Sequence, residues 1–124
     1  MARIIVIDDD AAVRGAIRRT LEPLGHAVLE ADDGAVGLAL LADRGADLVI
    51  TDIFMPGQDG IVTVRQIRKQ YPGVRIIAIS GGDTSGRMDL RQDAKLLGAA
   101  ATLAKPFERE DLVQAVEAVL GDAP

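Results

Sequence analysis

Residues 3–10 read Arg3-Ile4-Ile5-Val6-Ile7-Asp8-Asp9-Asp10, and this stretch decides the fold. Four β-branched residues in a row, with no polar alternation, describe a strand covered on both faces, as in a parallel sheet. The aspartates end the strand and open a helix over 11–24. Val13, Ala16, Ile17, Thr20, Leu21 and Leu24 recur at helical spacing, and Arg14, Arg18 and Arg19 fall off that stripe. Pro23 and Gly25 mark its end.

The same alternation runs outward from there. Strands are predicted over 27–31, 48–50, 74–79 and 100–104, with helices over 35–43, 61–70 and 110–120. A less apolar helix is expected over 85–97, where only Met88, Ala94, Leu96 and Leu97 offer an inward face. The stretch Met55-Pro56-Gly57-Gln58-Asp59-Gly60 reads as loop. Five strands alternating with five helices give an α/β fold, a parallel sheet covered on both faces. Right-handed crossovers make it doubly wound, flavodoxin-like, with strand order 2-1-3-4-5.

Composition narrows the function. The chain has 124 residues, 48% of them apolar, enough for one core, so a single domain over 1–124 is expected. The absence of cysteine removes disulfide scaffolds and thiol chemistry. A formal charge of −5 and 2% aromatic residues argue against direct nucleic-acid binding by charge or base stacking. No apolar run approaches the length of a membrane span or a secretory leader, so a cytoplasmic protein is expected.

Ligands of doubly wound sheets sit beyond the carboxyl ends of the strands, where the strand order reverses. Asp8 and Asp9 leave the first strand, Asp52 the third, Ser80 the fourth and Lys105 the fifth. Carboxylates that close repel one another unless a cation joins them. Oxygen donors with no His or Cys nearby favour Mg²⁺ over zinc. Several of these aspartates have plainer uses. Asp10 stands where a helix N-cap belongs, and capping also accounts for Asp32 and Asp33 beside the edge strand. His26, alone at the start of a strand, reads as structural rather than as a phosphorelay histidine.

The stretches Ile7-Asp8-Asp9-Asp10, Thr51-Asp52-Ile53-Phe54-Met55-Pro56-Gly57-Gln58-Asp59-Gly60, Ile79-Ser80-Gly81 and Ala104-Lys105-Pro106-Phe107 resemble the receiver domain of bacterial two-component response regulators, over essentially the whole chain. The resemblance implies a signalling domain rather than an enzyme acting on a separate substrate. It implies that Asp52 accepts a phosphoryl group from a histidine kinase or phosphotransfer protein, as a carboxylate nucleophile. Asp8, Asp9, Asp52 and the main-chain carbonyl of Phe54 would hold Mg²⁺. Lys105 would pair with Asp52 and then with the phosphate, and the Ser80 hydroxyl would follow it as a switch. An output protein would read the surface of the fourth helix, fifth strand and fifth helix. Lys105-Pro106 matches a peptide bond that is cis in the family. Thr102 departs from the family, since it stands where many relatives carry a switching aromatic residue.

Three alternatives compete. A degenerate pseudo-receiver would bind partners without phosphorylation, but the full set Asp8, Asp9, Asp52, Ser80 and Lys105 is present. A small haloacid-dehalogenase-type phosphatase would use Asp8 as nucleophile and Asp10 as acid, yet Ala12 is unlike its motif and no later acidic pair follows. A flavodoxin-like cofactor binder would need a Ser/Thr-rich phosphate turn and aromatic walls, which the loops lack.

Overall fold

The computed structural model describes residues 2–55, 58–80 and 98–121. The expected helix over 85–97, with the glycines Gly81, Gly82 and Gly86 before and within it, lies outside them.

Five parallel strands form the sheet: β1 (Arg3–Ile7), β2 (Ala27–Ala31), β3 (Leu48–Asp52), β4 (Arg75–Ser80) and β5 (Ala101–Ala104). Their order is 2-1-3-4-5, as the alternation of elements predicts. Ile4, Ile5, Val6 and Ile7 of β1 are all fully buried, because β1 is flanked by strands on both edges and by helices on both faces. Alternate side chains enter different cores. Ile4 and Val6 join Ile17, Leu21, Leu112 and Val116 under α1 (Ala11–Leu21) and α4 (Arg109–Gly121). Ile5 and Ile7 join Leu41, Val64 and Ile67 under α2 (Gly34–Arg44) and α3 (Gly60–Gln70). Burying each such isoleucine contributes about 2 kcal/mol.

Helix starts and stops differ slightly from the sequence reading, for local reasons. The first helix ends at Leu21 and tightens into a 3₁₀ turn over Glu22–Leu24, with Pro23 inside it and Gly25 at a φ of 97° behind it. Asp10 and Asp33 cap α1 and α2: the Asp10 carboxylate accepts from the N–H groups of Ala12 and Val13, and the Asp33 carboxylate from that of Val36. The loop after β3 contains a two-residue antiparallel hairpin, Phe54–Met55 with Gln58–Asp59. Strands that short carry no periodicity to read.

Two glycines set how closely helices approach the sheet. A Cβ at Gly37 of α2 would lie 2.3 Å from Cδ1 and 2.6 Å from Cγ1 of Ile7. A Cβ at Gly60, the first residue of α3, would lie 2.3 Å from the Ile53 Cα and 2.5 Å from the Asp52 carbonyl oxygen. The first conflict is with a side chain and the second with backbone, which has no rotamer to give. Gly37→Ala is expected to lower stability in urea denaturation by about 2 kcal/mol, since fully buried Ile7 has no free space to turn into. Adding Ile7→Val, which removes the nearest carbon, should return part of that loss. A Gly37→Ala protein as stable as wild type would show that α2 is not seated where this packing places it.

Candidate functional site

The sheet order creates the site. From β1 the chain runs out to β2, then crosses back to β3 on the other side, so the carboxyl ends of β1 and β3 face the gap between crossovers. The side chain that follows β1 is Asp8, fully buried, and the last residue of β3 is Asp52, only 3% exposed. Asp9 beside them is exposed. One carboxylate oxygen from each of Asp8, Asp9 and Asp52 lies within 4.8 Å of the other two.

Backbone pairing fixes these positions. The Asp8 N–H donates to the Ala31 carbonyl at 3.1 Å and carries the β1–β2 ladder one residue past the strand. The Asp10 N–H donates to Asp8 Oδ1 at 2.9 Å, which pins that carboxylate. On the other side, the Ile53 N–H donates to the Ile79 carbonyl, and Gly60 packs against the Asp52–Ile53 backbone. Ser80 ends β4, buried, one residue beyond the partner of Asp52. Its carbonyl accepts from the Lys105 N–H at 2.7 Å, which holds the two strand ends together. The Lys105–Pro106 bond is cis.

Lys105 reaches back across the gap. Its Nζ donates to Asp52 Oδ2 at 2.8 Å and lies 3.0 Å from Asp8 Oδ2. The second contact is an ion pair without hydrogen-bond alignment, so the buried Asp8 Oδ2 has no hydrogen-bond partner among the described residues. Burial pushes the Asp8 carboxyl above its ordinary value, and the neighbouring Asp52 charge adds to this; the Asp10 N–H and Lys105 offset it only in part. For Lys105, burial works to lower the ammonium, but its hydrogen bond to Asp52 and its ion pairing with Asp52 and Asp8 outweigh it and hold the pKa above the usual lysine value.

Three carboxylates around one ammonium leave two negative charges uncompensated. That deficit, the orphaned Asp8 oxygen and an all-oxygen donor set fit a hard divalent cation such as Mg²⁺. Of the residues singled out from sequence, Asp8, Asp9, Asp52 and Lys105 are brought together. Ser80 stands at the adjoining strand end, and Phe54 lies in the hairpin that follows Asp52. Asp10 is engaged as a helix cap through its Oδ1. His26 is structural: its Nδ1 accepts from the Ala2 N–H at 3.2 Å.

One contributor escaped the sequence reading. Arg14, which that reading set off the apolar stripe, has only 17% of its side chain exposed. It lies across the base of the acidic loop and contacts Asp8 and Glu30. The only sequence signal was its place one helical turn past the Asp10 cap.

Residues 4–117 match the family model for the response regulator receiver domain. The response regulator MprA of Mycobacterium sp. (strain KMS) is 37% identical over 118 residues, which cover 95% of this chain and 50% of MprA. The DNA-binding transcriptional regulator NtrC of Azospirillum brasilense is 36% identical, over 96% of this chain and 24% of NtrC. The chain thus spans about half the length of MprA and about a quarter of NtrC. Among solved structures, the receiver domain of NtrX from Brucella abortus superposes with a TM-score of 0.89 at 31% identity, covering 97% of this chain and 99% of that one. The chemotaxis protein CheY4 of Vibrio cholerae gives 0.86 at 32% identity, over 97% and 99%.

The charge crowding has a measurable consequence. Because the folded-state pKa of Asp8 is raised, its ionised form costs stability above that pKa. The cost disappears as pH falls through it toward the ordinary carboxylate range. Without divalent cations at neutral pH, Asp8→Asn is therefore expected to be more stable than wild type by on the order of 1 kcal/mol, roughly 4 °C in Tm. The gap should close in acid. Thermal melts from neutral pH to pH 4 check this, and a variant less stable than wild type at neutral pH would contradict it.

Proposed function

The chain belongs to the response regulator receiver family, and from that premise we propose that Asp52 is its phosphoacceptor. The observation that carries this reading is the buried Asp52 carboxylate, held by Lys105 at 2.8 Å and flanked by the Asp8 and Asp9 oxygens. The phosphodonor is a phosphohistidine on a histidine kinase or phosphotransfer protein. An Asp52 carboxylate oxygen forms the new bond to phosphorus as the P–N bond breaks. The bonding pair stays with the imidazole, which leaves as the neutral ring when its other nitrogen is protonated. The product is an acyl phosphate on Asp52.

An anion attacking an anion gains most from charge placed in advance. Lys105 supplies one positive charge already aimed at Asp52. Asp8, Asp9, Asp52 and the main-chain carbonyl of Phe54 would hold Mg²⁺, which would supply the remaining charge neutralisation. Asp8 and Asp9 serve as its anionic anchors, so their repulsion in the cation-free fold is relieved on binding. After transfer, Lys105 exchanges its Asp52 contact for a phosphate oxygen, and the Ser80 hydroxyl donates to another. Phosphorylation adds about −1.5 to −2 of charge at this point.

The output is a protein-binding surface that includes β5 and α4, biased by Ser80; the helix expected over 85–97 lies outside the described residues. Thr102, half-buried on β5 opposite Ala78, occupies the place of a switching aromatic. The bias here therefore passes through Ser80 and the strand end rather than through rotation of a ring. The chain acts as one receiver unit, in the cytoplasm, and catalyses only its own phosphorylation and dephosphorylation. Among the described residues no helix is long and apolar enough to cross a membrane.

Intact mass after incubation with acetyl phosphate tests the assignment. A Mg²⁺-dependent gain of one phosphoryl group is expected in wild type and none in Asp52→Asn. An adduct that persists in the mutant would move the nucleophile, with Asp8 the first suspect. Folded protein that takes up neither phosphate nor Mg²⁺ would restore the pseudo-receiver reading.

A further inference from the structure

Arg14 is the one cation, among the described residues, that touches the backbone of the acidic loop. Its Nη1 donates to the Asp8 carbonyl oxygen at 2.7 Å, and its Nε donates to Glu30 Oε1 at 3.2 Å. The Asp8 carbonyl belongs to the peptide that leads into Asp9, so a hold on that oxygen fixes the plane from which Asp9 projects. Asp9 needs such a hold. Its carboxylate is exposed and has no hydrogen bond or ion pair among the described residues, whereas Asp8 is pinned directly through its own Oδ1.

Glu30 in turn is fixed on β2, and its second oxygen accepts from Arg18 at 3.3 Å. Arg18 also pairs with Glu22, but among the described residues no hydrogen bond or ion pair joins it to the acidic loop. The Arg14 and Glu30 side chains are 17% and 27% exposed, so the Arg14 bridge is more shielded than a fully solvated surface pair, while Arg18 at 45% is not. The planar guanidinium suits the task, since its fork reaches two acceptors at once.

We propose that Arg14 is a positioning residue for the cation site: braced by Glu30, it clamps the Asp8–Asp9 peptide and thereby sets Asp9 as a ligand. The proposal rests on the Mg²⁺ reading above. It also opposes simple electrostatics. A positive charge beside a cation site repels the cation, so its removal without any positional role would tighten Mg²⁺ binding. Loss of a clamp weakens it, and partners behind first ligands commonly matter by tenfold or more.

The test is a Mg²⁺ titration of the full chain followed by amide chemical shifts in NMR spectra, with thermal melts to establish folding. Arg14→Met is expected to raise the Mg²⁺ dissociation constant on the order of tenfold. Arg14→Lys, which keeps the charge but cannot form the fork, should fall between it and wild type. Arg18→Ala, which loses two ion pairs without touching Asp8, should stay within about twofold of wild type. Should the Met variant unfold, the Lys variant carries the readout. Unchanged or tighter binding in a folded Arg14 variant overturns the clamp, as does equal weakening in Arg18→Ala. Failure of wild type to bind Mg²⁺ would instead strike the site assignment itself.

Discussion

Three carboxylates and one ammonium share a space only a few ångströms across at the ends of β1, β3 and β5. That imbalance is the constraint on which the rest of the structure depends. In water it would relax by side chains moving apart. Here the strands hold Asp8 and Asp52 in place by backbone hydrogen bonds, and burial removes the solvent that would otherwise screen them. The fold therefore maintains an excess of negative charge at the strand ends, and the proposed cation binding and phosphorylation both rest on it.

Stability and the proposed cation-binding role pull against each other at Asp8. Its carboxyl is raised by burial, its Oδ2 lacks a hydrogen bond among the described residues, and an uncharged side chain would suit the apolar core below it better. Below the site lies a conventional double core, with alternate residues of β1 feeding the two faces. Gly37 lets α2 close onto Ile7, and Gly60 lets α3 begin against the backbone of Asp52 and Ile53. The tight core is what makes the strained rim affordable, since fully buried isoleucines outweigh one crowded carboxylate.

Family membership places this chemistry in a signalling context. The match runs over nearly all of this chain and over half or less of MprA and NtrC, so in those proteins the same fold is one part of a larger chain. The receiver geometry is self-sufficient in one respect: Asp8, Asp9, Asp52, Ser80 and Lys105 all belong to strand ends of a single sheet.

The sequence by itself determined the layered fold and the identity of the acidic residues. Ile4 to Ile7 is apolar without alternation, and a strand flanked on both faces can be nothing else; the punctuation at Gly25, Gly45 and Pro72-Gly73 then divides the remaining elements. Asp52 and Lys105 were legible because their motifs are local. Other features were not. The hairpin after Asp52 is too short to show a period, whereas the capping role of Asp10 was legible from its place before Ala11 and is made by its hydrogen bonds. Arg14 looked like a solvent-facing charge, because helical spacing reports which face a residue takes and not what stands beyond it. Only the tertiary structure brought Glu30 from β2 and the Asp8 carbonyl from β1 to its guanidinium. Only the sheet order left Asp8 Oδ2 buried beside Asp52 and Lys105. Contacts between residues far apart in the chain depend on how strands are ordered in space, and local sequence pattern carries no distance across a sheet.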